Sequence, residues 1–203
     1  MIHKLIFLCF AMACPLYAHA QDSLSVSYIK GTHYNETLNS FKGVPFKVDY
    51  NFKTKDRKFT IVETINTTVF VLTAENSKLL QRALAKYQRW SRQANEEGVR
   101  LTKELGKVSA ETTFWKTGGG KFFLGGPEEL TLLFASRANN DHRFAIHFPN
   151  FRSRYNRYAE HKPRTLYLEL SEVTKLAGIL SEEGLQGLLD QAQKQSEIES
   201  RFK

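Results

Sequence analysis

Between positions 152 and 164 the chain reads RSRYNRYAEHKPR. Arg152, Arg154, Arg157, Lys162 and Arg164 are basic, Glu160 is the one acid, and Tyr155 and Tyr158 stand among them. Guanidinium forks grip phosphate, sulfate or carboxylate oxygens in pairs, while tyrosine rings stack on sugars or bases. Together with His161 these residues make a candidate binding segment for an anionic partner. The plain alternative is a solvated loop whose arginines pair with acids elsewhere on the surface. Lying between two strand-like stretches, the segment reads as a long exposed connection or a short helix. In a helix, Arg154, Arg157, Tyr158 and His161 would lie close together.

A second constellation is Asp141-His142, His147 and Glu160-His161. If a loop folds back over the end of a hairpin, these groups offer nitrogen and oxygen donors to a divalent metal, and hence metal-assisted hydrolysis. No H-E-x-x-H or H-x-H pair supports that arrangement, so no metal and no cofactor is assigned. The run Thr117-Gly118-Gly119-Gly120-Lys121 invites comparison with a phosphate loop and fails it. Trp115 stands where the first glycine is needed, and Phe122 where Ser or Thr must reach magnesium. The glycines read instead as a hairpin turn. There is no G-x-S-x-G elbow. The pairs Glu128-Glu129 and Glu182-Glu183 sit at expected turn or helix starts, where they serve capping and solvation. No catalytic residue is assigned, and the balance of the sequence is against an enzyme.

Residues 1–20, MIHKLIFLCFAMACPLYAHA, have the plan of a signal peptide. Lys4 supplies the positive start, Leu5 to Leu16 a short apolar run, and Ala18-His19-Ala20 a cleavage site before Gln21. A lipoprotein signal using Cys14 is the rival, and Ala11 and Pro15 fit it badly. Both cysteines, Cys9 and Cys14, fall inside this leader, so the expected mature chain has no thiol or disulfide chemistry. No later run is apolar and long enough to span a bilayer as a helix. Removing Lys4 leaves 28 basic residues against 21 acidic ones. For a periplasmic or secreted protein, that surplus favours an anionic glycan, a lipid head group or an acidic protein over nucleic acid.

The elements that must carry these residues are short alternating runs and one long helix. Leu79, Leu80, Ala83, Leu84, Tyr87, Trp90 and Ala94 recur at spacings of three and four. Thr73 caps the start and Gly98 the end. Leu24–Tyr28, Val44–Phe52 and Lys58–Ile65 alternate before the helix, with Phe59, Ile61, Glu63 and Ile65 sharing one face. After it come Val99–Leu105, Ala110–Lys116, Lys121–Leu124, a turn at Gly125-Gly126-Pro127, Leu130–Ser136, Arg143–Phe148 and Arg164–Leu170. Ser171 is expected to cap a short helix and Ser181 to open a last one. Beyond residue 192 the sequence is nearly all polar, and it is expected to fray or project. The expectation is one α+β domain over 21–203: a single, meander-rich antiparallel sheet packed on one long central helix, with C-terminal helices covering the rest. The functional expectation is a non-enzymatic exported binding module acting through segment 152–164. A metal-assisted hydrolase and a structural protein of the cell envelope are the alternatives.

Overall fold

The computed structural model describes residues 23–116, 120–138 and 141–201; the expected leader, Cys14 and the glycines at 118 and 119 lie outside them. The strands are β1 (Ser23–Asn35), β2 (Ser40–Asn51), β3 (Arg57–Val62), β4 (Asn66–Leu72), β5 (Thr102–Lys116), β6 (Lys121–Ala138), β7 (Asp141–His147), β8 (Phe151–Arg152), β9 (Glu160–His161) and β10 (Leu166–Leu168). The helices are α1 (Ala74–Glu97), α2 (Leu170–Leu180) and α3 (Glu182–Ser200).

The expected open sheet on a central helix is overturned. Eight strands close into an antiparallel barrel in the order β1-β10-β7-β6-β5-β4-β3-β2, and the chain is mostly strand rather than α+β. Alternation tells that one face of each strand is apolar. It does not tell whether that face meets a helix or its own far side, and here it meets its own far side. Phe46, Phe59, Phe70, Phe114, Phe134, Phe144 and Phe148 all point inward and are buried. Phe59 and Phe70 are register partners, their rings stacked 4.8 Å apart, and Phe148 lies 5.5 Å from Phe70 across the lumen. An eight-stranded barrel has an interior about wide enough for side chains to fill, and phenylalanine fills this one. Its outer wall carries ion pairs such as Lys47–Asp49 and Lys107–Glu129. That polarity is the reverse of a barrel whose wall faces lipid. Among the described residues no helix is long and apolar enough to cross a membrane.

Bulges supply the curvature that closure needs. One lies between Glu104 and Gly106 and another between Glu111 and Thr113, so β5 is one strand of 15 residues where two were expected. β6 likewise runs unbroken for 18 residues through the expected Gly125-Gly126-Pro127 turn. A Cβ at Gly125 would stand 2.3 Å from the Thr112 hydroxyl and 2.9 Å from its carbonyl, so this glycine allows close strand approach. In β1 a bulge between Ser25 and Ser27 shifts the phase. Ile29, Gly31 and His33 then face inward, and Tyr28 faces out.

Helix α1 bridges the end of β4 and the start of β5 and packs on β4–β7 and α2 at one end of the barrel. Thr73 accepts from the Asn76 amide, and Gly98 closes the helix at φ 63°, both as expected. Leu80, Leu84 and Tyr87 are buried and Trp90 partly so, whereas Leu79 is exposed. The Tyr87 hydroxyl donates to the His142 carbonyl at 2.7 Å. Glu169 rather than Ser171 occupies the N-cap of α2, and α3 runs as helix to Ser200. The three helices thus gather at one end. The opposite end is left to the connections β1–β2, β3–β4 and β5–β6 and to residues 148–165.

Candidate functional site

Inward phase and strand length decide which polar groups reach the helix-free end. β3 turns Phe59 and Ile61 inward, and two residues further the same phase presents Glu63 at the mouth. β1 presents His33 there after Ile29 and Gly31, and β4 presents Thr68 after Leu72 and Phe70. All three continue an apolar face with a polar side chain. The sequence shows that signal at Glu63, whereas the bulge in β1 hides the phase that brings His33 to the mouth.

Residues 152–164 form neither a helix nor a loose loop. β8 and β9 pair with Phe151 opposite His161 and Arg152 opposite Glu160. Phe151, Ala159 and His161 point into the barrel end and are buried, and the predicted binding residues fall into four groups. Arg154 donates to Glu111 at 2.7 Å across Gly126, and its backbone amide bonds the Leu124 carbonyl. Tyr155, Arg157 and Tyr158 form the exposed tip, where the Arg157 guanidinium lies over the Tyr158 ring and donates to its hydroxyl. Arg152 is exposed on the hairpin flank. His161, Lys162 and Arg164 turn to the mouth, so the helical clustering of Arg154 with His161 does not occur.

The mouth holds an open pocket of about 480 Å³ framed by His33, Lys42, Glu63, His161, Lys162 and Arg164. Lys162 and Arg164 also line a neighbouring pocket of about 600 Å³ beside His147 and Thr165, and so stand as a ridge between the two. Among the described residues the side chains of Lys42 and Lys162 make no hydrogen bond or ion pair. Lys116 and Lys121 face each other in the β5–β6 register at the same end, a like-charge pairing that costs stability when nothing anionic neutralises it.

Glu63 is the carboxylate inside this ring. Its Oε1 lies 3.3 Å from His33 Nε2 and its Oε2 3.7 Å from His161 Nε2. The first contact is close enough for attraction but off hydrogen-bond alignment, leaving His33 Nε2 without a hydrogen-bond partner. His33 Nδ1 meets the Thr165 carbonyl at 2.9 Å and must carry a hydrogen, since a carbonyl only accepts. The Nε2–carboxyl contact is therefore attractive only when the pair holds one further proton. Burial pushes the Glu63 carboxyl up, but the close approach of His33, with the charges of His161 and Arg164, outweighs it and holds the group low. Burial pushes His161 down, opposed by Glu63 and aided by Lys116. Its Nε2 also sits 3.0 Å from the Thr68 hydroxyl.

Asp141, His142, His147 and His161, the donors of the expected metal-assisted hydrolase, are not brought together. Asp141 pairs with Arg143 at 2.9 Å, and His142 is buried near α1 against Ser136 and Phe134. His147 lies five residues along the same strand on the outer face, bonded to the Thr165 hydroxyl. At about 3.3 Å per residue that separates the two histidines by about 16 Å, too far for one ion. Among the described residues no group of three or more His, Cys, Asp or Glu has the geometry to hold a metal. Comparison with protein-family models, characterised proteins and solved structures found no match, so this site is read from its own geometry.

Proposed function

We propose that the protein is a non-enzymatic binding module that takes an anionic partner at the helix-free end of its barrel. The observation that carries this reading is the gathering of Lys42, Lys162 and Arg164 around a mouth whose one carboxylate, Glu63, is already engaged by two histidines. An anion there would gain bidentate and charge-assisted contacts without displacing an existing pair. Segment 152–164 contributes through Lys162 and Arg164 at the mouth and through Tyr155, Arg157 and Tyr158 at the tip. Arg154 is committed to Glu111 and holds the hairpin in place. With the leader reading of residues 1–20, this binding would operate in the periplasm or outside the cell.

Heparin serves as a polyanionic probe. Lys42→Ala/Lys162→Ala/Arg164→Ala should weaken its binding about tenfold or more and flatten the dependence on salt. A control triple, Lys78→Ala/Arg82→Ala/Arg89→Ala on the exposed face of α1, should change it little. Equal loss in both triples would mean that net charge alone binds the probe, and the reading would fail.

A further inference from the structure

Among the described residues, eight of the thirteen large apolar side chains most exposed to solvent lie at the helix-free end: Leu38, Val62, Ile65, Trp115, Phe122, Leu124, Tyr155 and Tyr158. They are placed by register rather than by chance. Val62 pairs with Thr67, Thr67 with Trp115, and Trp115 with Phe122, which makes one row across the outer wall of β3, β4, β5 and β6. Trp115 is 48% exposed and Phe122 60%. Leu124 extends the row along β6, and the amide of Arg154 on its carbonyl brings the next residue, Tyr155, alongside. Tyr155 and Tyr158 are 82% and 78% exposed.

Leu38, Ile65 and Tyr158 come from three different connections of one barrel end, and Phe122 from the start of β6 beside them. Residues at the ends of staves lie around a ring, so a plane laid across the barrel end reaches all of them. Within the segments 35–42, 62–66, 115–124 and 147–165 the sequence places eight Lys or Arg against three Glu. Two of those acids are occupied, Glu63 by the histidines and Glu160 by Asn150.

We propose that this end of the barrel docks on an anionic phospholipid bilayer. Its cations would meet the head groups, and Trp115, Phe122, Leu124 and the tyrosines would enter the interface. The inference rests on the anion-binding reading and gives its partner. A soluble polyanion would use the lysines and arginines but leave the apolar row in water, and aromatic rings with basic neighbours suit the head-group level. The ion-paired outer wall elsewhere restricts contact to this end, so the protein would lie on the bilayer without spanning it.

Trp90→Phe leaves Trp115 as the single tryptophan and permits a direct test with vesicles of equimolar phosphatidylglycerol and phosphatidylcholine. Trp115 emission should move to the blue and be quenched by lipids brominated near the head group, whereas phosphatidylcholine vesicles should give neither effect. Adding Phe122→Ser/Leu124→Ser, both at exposed positions, should lower partitioning at least about tenfold while leaving heparin binding unchanged. Heparin binding without vesicle binding would overturn the membrane inference alone. Loss of both in the unsubstituted protein would overturn the anion reading as well. Equal partition to neutral vesicles, or partition indifferent to the serine pair, would also overturn the proposal.

Discussion

The Glu63 carboxylate stands 3.3 Å from His33 Nε2 at the centre of a ring of cations, where it is the negative charge an incoming anion would meet first. Glu63→Gln keeps the shape and removes that charge. A unit charge about 8 Å from a bound anion in a largely aqueous mouth is worth about 0.5–1 kcal/mol. Heparin binding measured at constant pH and salt should tighten by about two- to fivefold. Weaker binding by the glutamine variant would show that Glu63 supports the ligand rather than opposing it.

The barrel should be acid-sensitive at both ends. Burial holds His161 below its ordinary 6.5, against Glu63 and with help from Lys116, and holds His142 down against the pull of Asp141. A histidine lowered by folding takes its proton more readily when unfolded, so stability falls as pH drops from about 6.5 through the lowered value. Glu63 acts lower still: its depressed carboxyl contributes stability above about 4.5 that is lost as pH falls through the folded value. Thermal unfolding followed across pH should show a first decline below about pH 6.5 and a further one below about 4.5. His161→Gln should shrink the first decline, and a flat profile from pH 7.5 to 5 would contradict this account.

Two adjacent glycines in β6 should behave differently. Gly125→Ala drives a Cβ against the Thr112 carbonyl, 2.9 Å away, and should cost about 2–3 kcal/mol. At Gly126 the nearest atom to an added Cβ is Arg154 Nε at 3.7 Å, an ordinary contact, so Gly126→Ala should stay within about 0.5 kcal/mol. Denaturant midpoints of the two variants check this, and equal effects would argue against the close crossing of β5 and β6.

Tyr87 joins the helical end to the barrel through its bond to the His142 carbonyl. Tyr87→Phe should lower stability by about 1–2 kcal/mol in denaturant unfolding, because a buried acceptor loses its donor. Burial chiefly pushes the Tyr87 hydroxyl up to about 12, with Ser91 and Arg143 opposing. One tyrosine should therefore resist ionisation at pH 11 in an absorbance titration, and the phenylalanine variant should lack that signal.

Much of the chain's local order was legible in advance. The stripe on α1, its Thr73 cap, its Gly98 stop and the inward face of β2 all follow from spacing and residue type. Closure did not, because period-two alternation is the same for a strand facing a helix and a strand facing its own barrel. Gly125 looks like a turn residue, yet it sits within the long strand β6, where the close approach of Thr112 leaves no room for a side chain. At the site, arginine-rich composition pointed to segment 152–164 but could not tell Arg154, committed to Glu111, from Arg164 at the mouth. Glu63 was visible as an acid on an apolar face, and only the meeting of β1, β3 and β9 gives it partners.

Amide chemical-shift mapping with a short heparin oligosaccharide tests the central claim most directly, since it reports where the anion sits without relying on any variant. The account predicts perturbations concentrated at His33, Lys42, Glu63, Lys116, Lys121 and residues 161–165, with α1, α2 and α3 unmoved. Shifts centred on the helices, or spread evenly over the outer wall, would contradict it.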